Sequence, residues 1–319
     1  MTEIPDKYVE LVKSSAAYSR LTRDVRAGLS HAYLLVSPDR LGLDLLTDLF
    51  IAEAAGVPDA FRRVSAGTLT DVITLPESGE KIAVKDIDYL TETAYVTPTE
   101  LPRKFYVVNY GETMSEASQN KLLKTLEEPP SVTVILIKTS SAAAMLPTVR
   151  SRCRIVELKP FPAAALNARL EELYGGDKRL PVARAANRGM LGEAERLITG
   201  DKYAEMYDTA VDVLTNMHRS PDAARFAAKI LKYKDNVADI LEYIELILRD
   251  SCAAAAGKPQ LMLNAAGVKD ARAVTAAYPP EAVIRIMPLI TRARARLKWN
   301  GNVTGVVDEE TWNAMLEML

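Results

Sequence analysis

Residues Asn120 to Cys153 read NKLLKTLEEPPSVTVILIKTSSAAAMLPTVRSRC, and the local signals within them decide the architecture. Leu122, Leu123 and Leu126 recur at helical spacing, and Pro129 disfavours helical geometry at Glu128, so a helix ends where the double proline begins. Val132 to Ile137 then reads as a strand. That run is nearly all apolar rather than alternating, which suits a central parallel strand covered by helices on both faces. A turn carrying Arg152 follows at once. Helix, buried strand and arginine turn in this order predict a parallel α/β domain.

Composition sets the wider bounds. The chain has 319 residues, with 40 basic and 42 acidic side chains, long enough for two or three domains and close to charge balance. Nothing in that balance demands nucleic acid as the sole partner. Cys153 and Cys252 are the only cysteines, too few for a disulfide framework or a four-cysteine zinc site, and a reducing cytoplasm is the simplest reading. The opening MTEIPDKYVELVK is charged throughout, and no uninterrupted apolar run reaches membrane-spanning length. The expectation is a soluble, cytoplasmic, globular protein with no membrane association.

Working outward, Tyr8 to Gly28 predicts one amphipathic helix leading into a strand at His31 to Val36. His31 has no Ser, Cys or metal-ligand partner at useful spacing, so it is read as structural. Leu45 to Ala55 predicts a helix broken by Gly56-Val57-Pro58. Val72 to Leu75 is a strand, Lys81 to Ala94 a short β segment plus a helix, and Lys104 to Val108 a further buried strand. Ile155 to Leu158 reads as the last strand, and Lys159 to Pro162 as the exit to a second domain. Ala163 to Thr199 is helical, broken near Tyr174 to Asp177 and Gly189 to Gly192. From Asp201 to Leu319 the pattern is helical almost throughout, with breaks near Ser220-Pro221, Gly257 to Pro259 and Tyr278 to Pro280. Arg292, Arg294 and Arg296 spread around a helix rather than lining one face, and are read as solvated or interfacial.

The Asn120–Cys153 string closely resembles the signature of the clamp-loader branch of the AAA+ ATPases, in which an Asn-x-Leu-Leu-Lys-x-Leu-Glu-Glu-Pro-Pro helix precedes a Ser-Arg-Cys turn. The resemblance implies an AAA+ (P-loop NTPase-like) parallel-sheet domain, a small helical lid and an all-α collar, with boundaries at 1–160, 161–200 and 201–319. It also implies a phosphate loop after the His31 strand. Such a loop needs glycines for close backbone approach, a lysine for the outer phosphates and a hydroxyl for magnesium. On Ser37-Pro38-Asp39-Arg40-Leu41-Gly42-Leu43-Asp44, two glycine positions hold Ser37 and Arg40, the lysine position Leu43 and the hydroxyl position Asp44. Only Gly42 survives. Asp44 would set a carboxylate beside the phosphates, where like charges repel.

The second nucleotide motif fails as well. Where active relatives carry an Asp for magnesium and a Glu that orients water, this chain has Asn109 and Tyr110. Glu112 is read as a solvated loop carboxylate, Thr139 at the first-sensor position as structural, and Glu193 as a lost second-sensor cation. The family's four-cysteine zinc module is absent. What survives is Ser151-Arg152-Cys153, whose arginine the resemblance implies to act in trans on a neighbour's ATP; the competing reading is an internal salt bridge for Arg152, with Cys153 as core filler. Arg150 and Arg154 are read as solvated or ion-paired. Leu297 to Asn302 weakly matches a Leu-x-x-Asn-x-Asn segment of the family.

The resemblance therefore implies a non-catalytic clamp-loader subunit with no cofactor or metal. Its partners would be the ATP-hydrolysing tau or gamma and the clamp-opening delta subunits, and through them the sliding clamp and primed DNA. The alternatives are a divergent self-sufficient AAA+ ATPase using Arg40 and Glu112, or a free-standing regulator on the same scaffold.

Overall fold

A computed structural model describes residues 5–177, 179–264, 267–298 and 302–318. Trp299, Asn300 and Gly301 of the C-terminal segment singled out above lie outside the described residues. The chain divides into two compact units, one of residues 1–169 with 189–192, the other of 170–188 with 193–319.

The first unit is built on five parallel strands. In chain order its elements are α1 (Val9–Lys13), α2 (Ala16–Ala27), β1 (Ala32–Val36), α3 (Arg40–Ala55), α4 (Ala60–Ser65), β2 (Val72–Leu75), α5 (Val84–Thr93), β3 (Lys104–Val108), α6 (Glu116–Glu127), β4 (Thr133–Thr139), α7 (Pro147–Arg150) and β5 (Arg154–Glu157). The sheet order is β2-β3-β4-β1-β5, which agrees with the AAA+ α/β class expected from the sequence. β1, β3 and β4 are buried along their whole length, as their mainly apolar sequences suit, whereas the edge strands β2 and β5 are partly exposed. On one face Leu34, Tyr106, Ile135 and Ile137 pack on Ile87, Leu90, Leu122 and Leu126 from α5 and α6. On the other, Tyr33 meets Phe50 of α3 edge to face at 5.0 Å.

The other elements are α8 (Ala163–Tyr174), α9 (Leu180–Ala186), α10 (Leu191–Thr199), α11 (Asp201–Asn216), α12 (Ser220–Leu231), α13 (Val237–Ala255), α14 (Val268–Ala277), α15 (Pro280–Lys298) and α16 (Val303–Met318). The second unit is thus all-α among the described residues, with Phe226, Ile240 and Val274 in its interior. The break expected near Ser220-Pro221 is present: α11 ends at Asn216 and α12 starts at Ser220, with Pro221 in its first turn, where a missing N–H leaves no donor unpaired. No helix is long and apolar enough to cross a membrane among the described residues.

Three local expectations are corrected. Tyr8–Gly28 is two helices, because Ser15 turns extended and its Oγ accepts from Tyr18 N at 3.1 Å, capping α2 and interrupting the run. Lys81–Ala83 forms no strand: Ile82 N donates to Thr113 Oγ1 (3.0 Å) and Ala83 N to Asp86 Oδ2 (2.7 Å), so side chains take donors that a ladder would need. The helix expected from Leu45 begins at Arg40. Asp39 starts it by accepting from Gly42 N at 3.2 Å, and the loop between β1 and α3 shrinks to Ser37-Pro38-Asp39.

Candidate functional site

Parallel sheets bind ligands beyond the carboxyl ends of their strands, and here the register aligns those ends. Val36 pairs with Thr139 and Val108 with Ile137, so Ser37, Asn109 and Lys138 emerge together. With Arg40, Leu43, Asp44, Tyr110, Glu112 and Thr139 they line a cleft of about 90 Å³. That is room for a few waters, against several hundred cubic ångströms for ordinary small-molecule sites. The tertiary structure thus gathers Ser37, Arg40, Leu43 and Asp44 of the predicted phosphate loop and the strand-end pair Asn109 and Tyr110 into the lining of one cleft, with Gly42 outside it. Among the described residues no cluster of His, Cys, Asp or Glu could hold a metal ion.

The cleft's charges are spent on one another. Lys138, at the end of β4 and only 8% exposed, forms an ion pair with Asp44. A lysine is therefore present, but it comes from β4 instead of the loop and is neutralised by the carboxylate at the hydroxyl position. Leu43, in the lysine's place, is 3% exposed and packs inward. Arg40 lies 3.8 Å from the centre of the Tyr110 ring and 3.5 Å from Glu112. Glu112 in turn accepts from Ser140 N at 3.1 Å, so it is a tie between loops rather than the solvated carboxylate expected. Tyr110 holds φ 56°, a left-handed conformation that non-glycine residues seldom adopt. Asn109 Oδ1 is buried and accepts no hydrogen bond among the described residues.

Two acidic groups here escaped the sequence reading. Asp39 is 5% exposed, and besides Gly42 N its carboxylate accepts from Leu191 N (2.6 Å) and Gly192 N (2.9 Å) at the start of α10. Burial pushes its carboxyl above the ordinary range, opposed by those three N–H donors. Asp48, one turn beyond Asp44 on α3, is pushed up to about 6 by burial, against the pull of its Ser65 hydrogen bond and of Lys138. An Asp after Ser-Pro was legible as a helix cap, but its reach to residue 191 was not.

The arginine turn has its own geometry. Arg152 is about one-third exposed; its Nη1 donates to Thr148 O (2.9 Å) and Nη2 pairs with Glu127 at 2.7 Å. Glu127 ends α6, so the two halves of the Asn120–Cys153 string touch through their charged ends. The internal salt bridge weighed against a free arginine is thus present, between two partly exposed side chains. Cys153 packs against the sheet core, and burial pushes its thiol up to about 12, so it is inert filler as expected. Arg154 pairs with the buried Asp24 at 2.7 Å, whereas Arg150 Nε is buried with no partner among the described residues. In the second unit Glu193 pairs with Arg196 (2.5 Å). There too, Arg292 and Arg296 converge on Glu310, while Arg294 pairs with Glu245.

Comparison with known proteins fits this geometry. Residues 13–162 match the family described as DNA polymerase III, delta subunit. The chain is 24% identical over 323 residues to the DNA polymerase III subunit delta-prime of Bacillus subtilis, covering 97% of this chain and 95% of that one. It is 30% identical over 204 residues to the corresponding subunit of Pseudomonas aeruginosa, covering 56% of this chain and 62% of that one. The DNA polymerase III subunit tau of Bacillus subtilis is 21% identical over 310 residues, covering 86% of this chain and 55% of that one. Residues 13–162 thus resemble the DNA polymerase III delta-subunit family, and over nearly its whole length the chain is similar to the delta-prime subunit of Bacillus subtilis.

Proposed function

We propose that the chain is a non-catalytic subunit of the DNA polymerase III clamp loader that takes no nucleotide of its own and offers Arg152 to the ATP of a neighbouring subunit. The observation that carries this reading is the self-pairing of the cleft. Lys138 with Asp44, and Arg40 with Glu112, leave no cation there for a triphosphate, and Leu43 fills the lysine's place with buried hydrocarbon. To enter, ATP would have to break both pairs and bring four negative charges against Asp44 and the buried Asp39. Asn109 and Tyr110 supply neither the magnesium carboxylate nor the water-orienting one.

Similarity to tau and delta-prime proteins supports assembly with tau or gamma and delta subunits in the cytoplasm, and through them action on the sliding clamp and primed DNA. In this reading residues 1–160 present the arginine, 161–200 act as a fixed lid and 201–319 as the collar. Arg152 would leave Glu127 on assembly, an exchange between half-exposed partners that costs little.

A second reading, a divergent ATPase, is favoured by one observation: Arg40 and Glu112 do reach the cleft, although they engage each other there. Calorimetry with ATP and magnesium separates the two. No heat of binding at micromolar protein is expected, and micromolar affinity or turnover above buffer would overturn the proposal. Reconstitution with tau-type and delta-type subunits tests Arg152. Arg152→Ala should cut DNA-stimulated ATP hydrolysis of the complex by roughly 10³-fold at the dependent site, as for in-trans arginines elsewhere. Arg152→Lys should not restore it, lacking the planar fork.

A further inference from the structure

The carboxylate of Asp39 sits where the N-termini of two helices converge. It caps its own helix α3 through Gly42 N and also accepts from the first two N–H groups of α10, Leu191 and Gly192. All four residues belong to the first unit. Helix N-termini carry unpaired donors and a partial positive charge, which is why phosphates and other anions bind there. Among the described residues no Lys or Arg forms an ion pair with Asp39, and its carboxylate is met by backbone N–H groups. The approach is made possible by two glycines. A Cβ on Gly42 would stand 2.7 Å from Asp39 Oδ2, and one on Gly192 would stand 3.2 Å from Asp39 Oδ1.

We propose that Asp39 is a resident anion: its carboxylate fills the seat that the two helix ends and their glycines form, and holds the first turn of α10 on the loop after β1 with no nucleotide bound. The seat's chemistry is that of a small oxyanion, here supplied by the chain itself. A nucleotide-free subunit thereby keeps the start of α10 in one place. This deepens the reading that the cleft takes no ATP. The test is made without nucleotide, so its failure would leave the calorimetric result untouched.

Hydrogen exchange of the full chain, read at Leu191 and Gly192, is the direct measurement. Asp39→Ala should accelerate exchange at both amides by at least ~10-fold while Ile135 and Ile137 in β4 stay as in the unaltered chain. Formate at tens of millimolar should restore protection in Asp39→Ala and change nothing in the unaltered chain, since only the variant has a vacant seat. Asp39→Asn, similar in size but uncharged, should fall between the two. Unchanged protection at Leu191 and Gly192 in Asp39→Ala, or a loss that formate leaves unaltered, overturns the proposal. Should Asp39→Ala not fold, Asp39→Asn with full protection would overturn it equally, because charge would then be dispensable.

Discussion

At the scale of single residues, burial and hydrogen bonding set chemistry that residue names leave open. Cys153 has an ordinary-looking thiol in a turn, yet burial raises its pKa to about 12 from 9.0, so the thiolate that reacts is about 10³ times scarcer at neutral pH. In a Cys252→Ser background, labelling by an aromatic disulfide at pH 8 should be slow in buffer and fast in denaturing urea. Comparable rates in both would place Cys153 outside the core. Asp71 is 1% exposed and accepts from the N–H groups of Thr99, Glu100 and Leu101 at 2.6 to 2.9 Å. Burial works to raise its pKa, but the three donors outweigh it, and the carboxyl ends below its ordinary value. A lowered carboxyl stabilises the fold above the unfolded-state pKa, and that contribution is lost as pH falls through the folded one. Asp71→Asn should therefore cost about 1–3 kcal/mol at pH 7, and the gap from the unaltered chain should narrow in urea titrations as pH falls below the ordinary carboxyl range.

Elements concentrate such effects. On α3, Asp44 and Asp48 lie one turn apart with Lys138 beside them, and Asp48 is raised from 3.8 to about 6. For a raised carboxyl the sign reverses: between those values the unfolded chain has released its proton while the fold retains it. Stability then falls as pH rises through that window, by up to roughly 3 kcal/mol at 1.36 kcal/mol per pKa unit. Asp48→Asn should be more stable than the unaltered chain at pH 8 and equal to it near pH 4. A flat difference across that range would count against the burial of Asp48. Between α15 and α16 the balance is opposite. Glu310, 4% exposed, accepts from Arg292 at 2.9 Å and Arg296 at 3.1 Å, and those bonds hold its carboxyl low against the cost of burial. Glu310→Ala removes the anion shared by two arginines that themselves reach solvent, and should lower the midpoint of urea unfolding. Arg296→Ala, which leaves Arg292 in place, should lower it less.

For the whole molecule, two compact units predict two unfolding events. Leu34 in β1 and Phe226 in α12 are both fully buried, one in each unit. Leu34→Ala and Phe226→Ala should each cost roughly 3–5 kcal/mol, and each should shift a different transition in calorimetry. A single transition moved equally by both would mean that the chain unfolds as one cooperative body.

The sequence by itself determined the layers of the first unit and its resemblance to DNA polymerase III delta-prime proteins. Long apolar runs at Thr133–Thr139 and Lys104–Val108 can be satisfied only by burial on both faces, and a literal string from Asn120 to Cys153 is specific without any fold. It also named the residues, Leu43, Asp44, Asn109 and Tyr110, at the positions compared with a phosphate loop and its partner strand, because identity at a position needs no coordinates. Tertiary structure alone decided what those positions do instead. That Lys138 answers Asp44 across 94 residues, that Glu127 holds Arg152, and that Asp39 meets Leu191 and Gly192 are contacts between distant segments. No periodicity or spacing encodes them, since each arises only when the parallel sheet brings segments distant in sequence together, Glu127 and Arg152 at the amino ends of its strands and the other two contacts at the carboxyl ends.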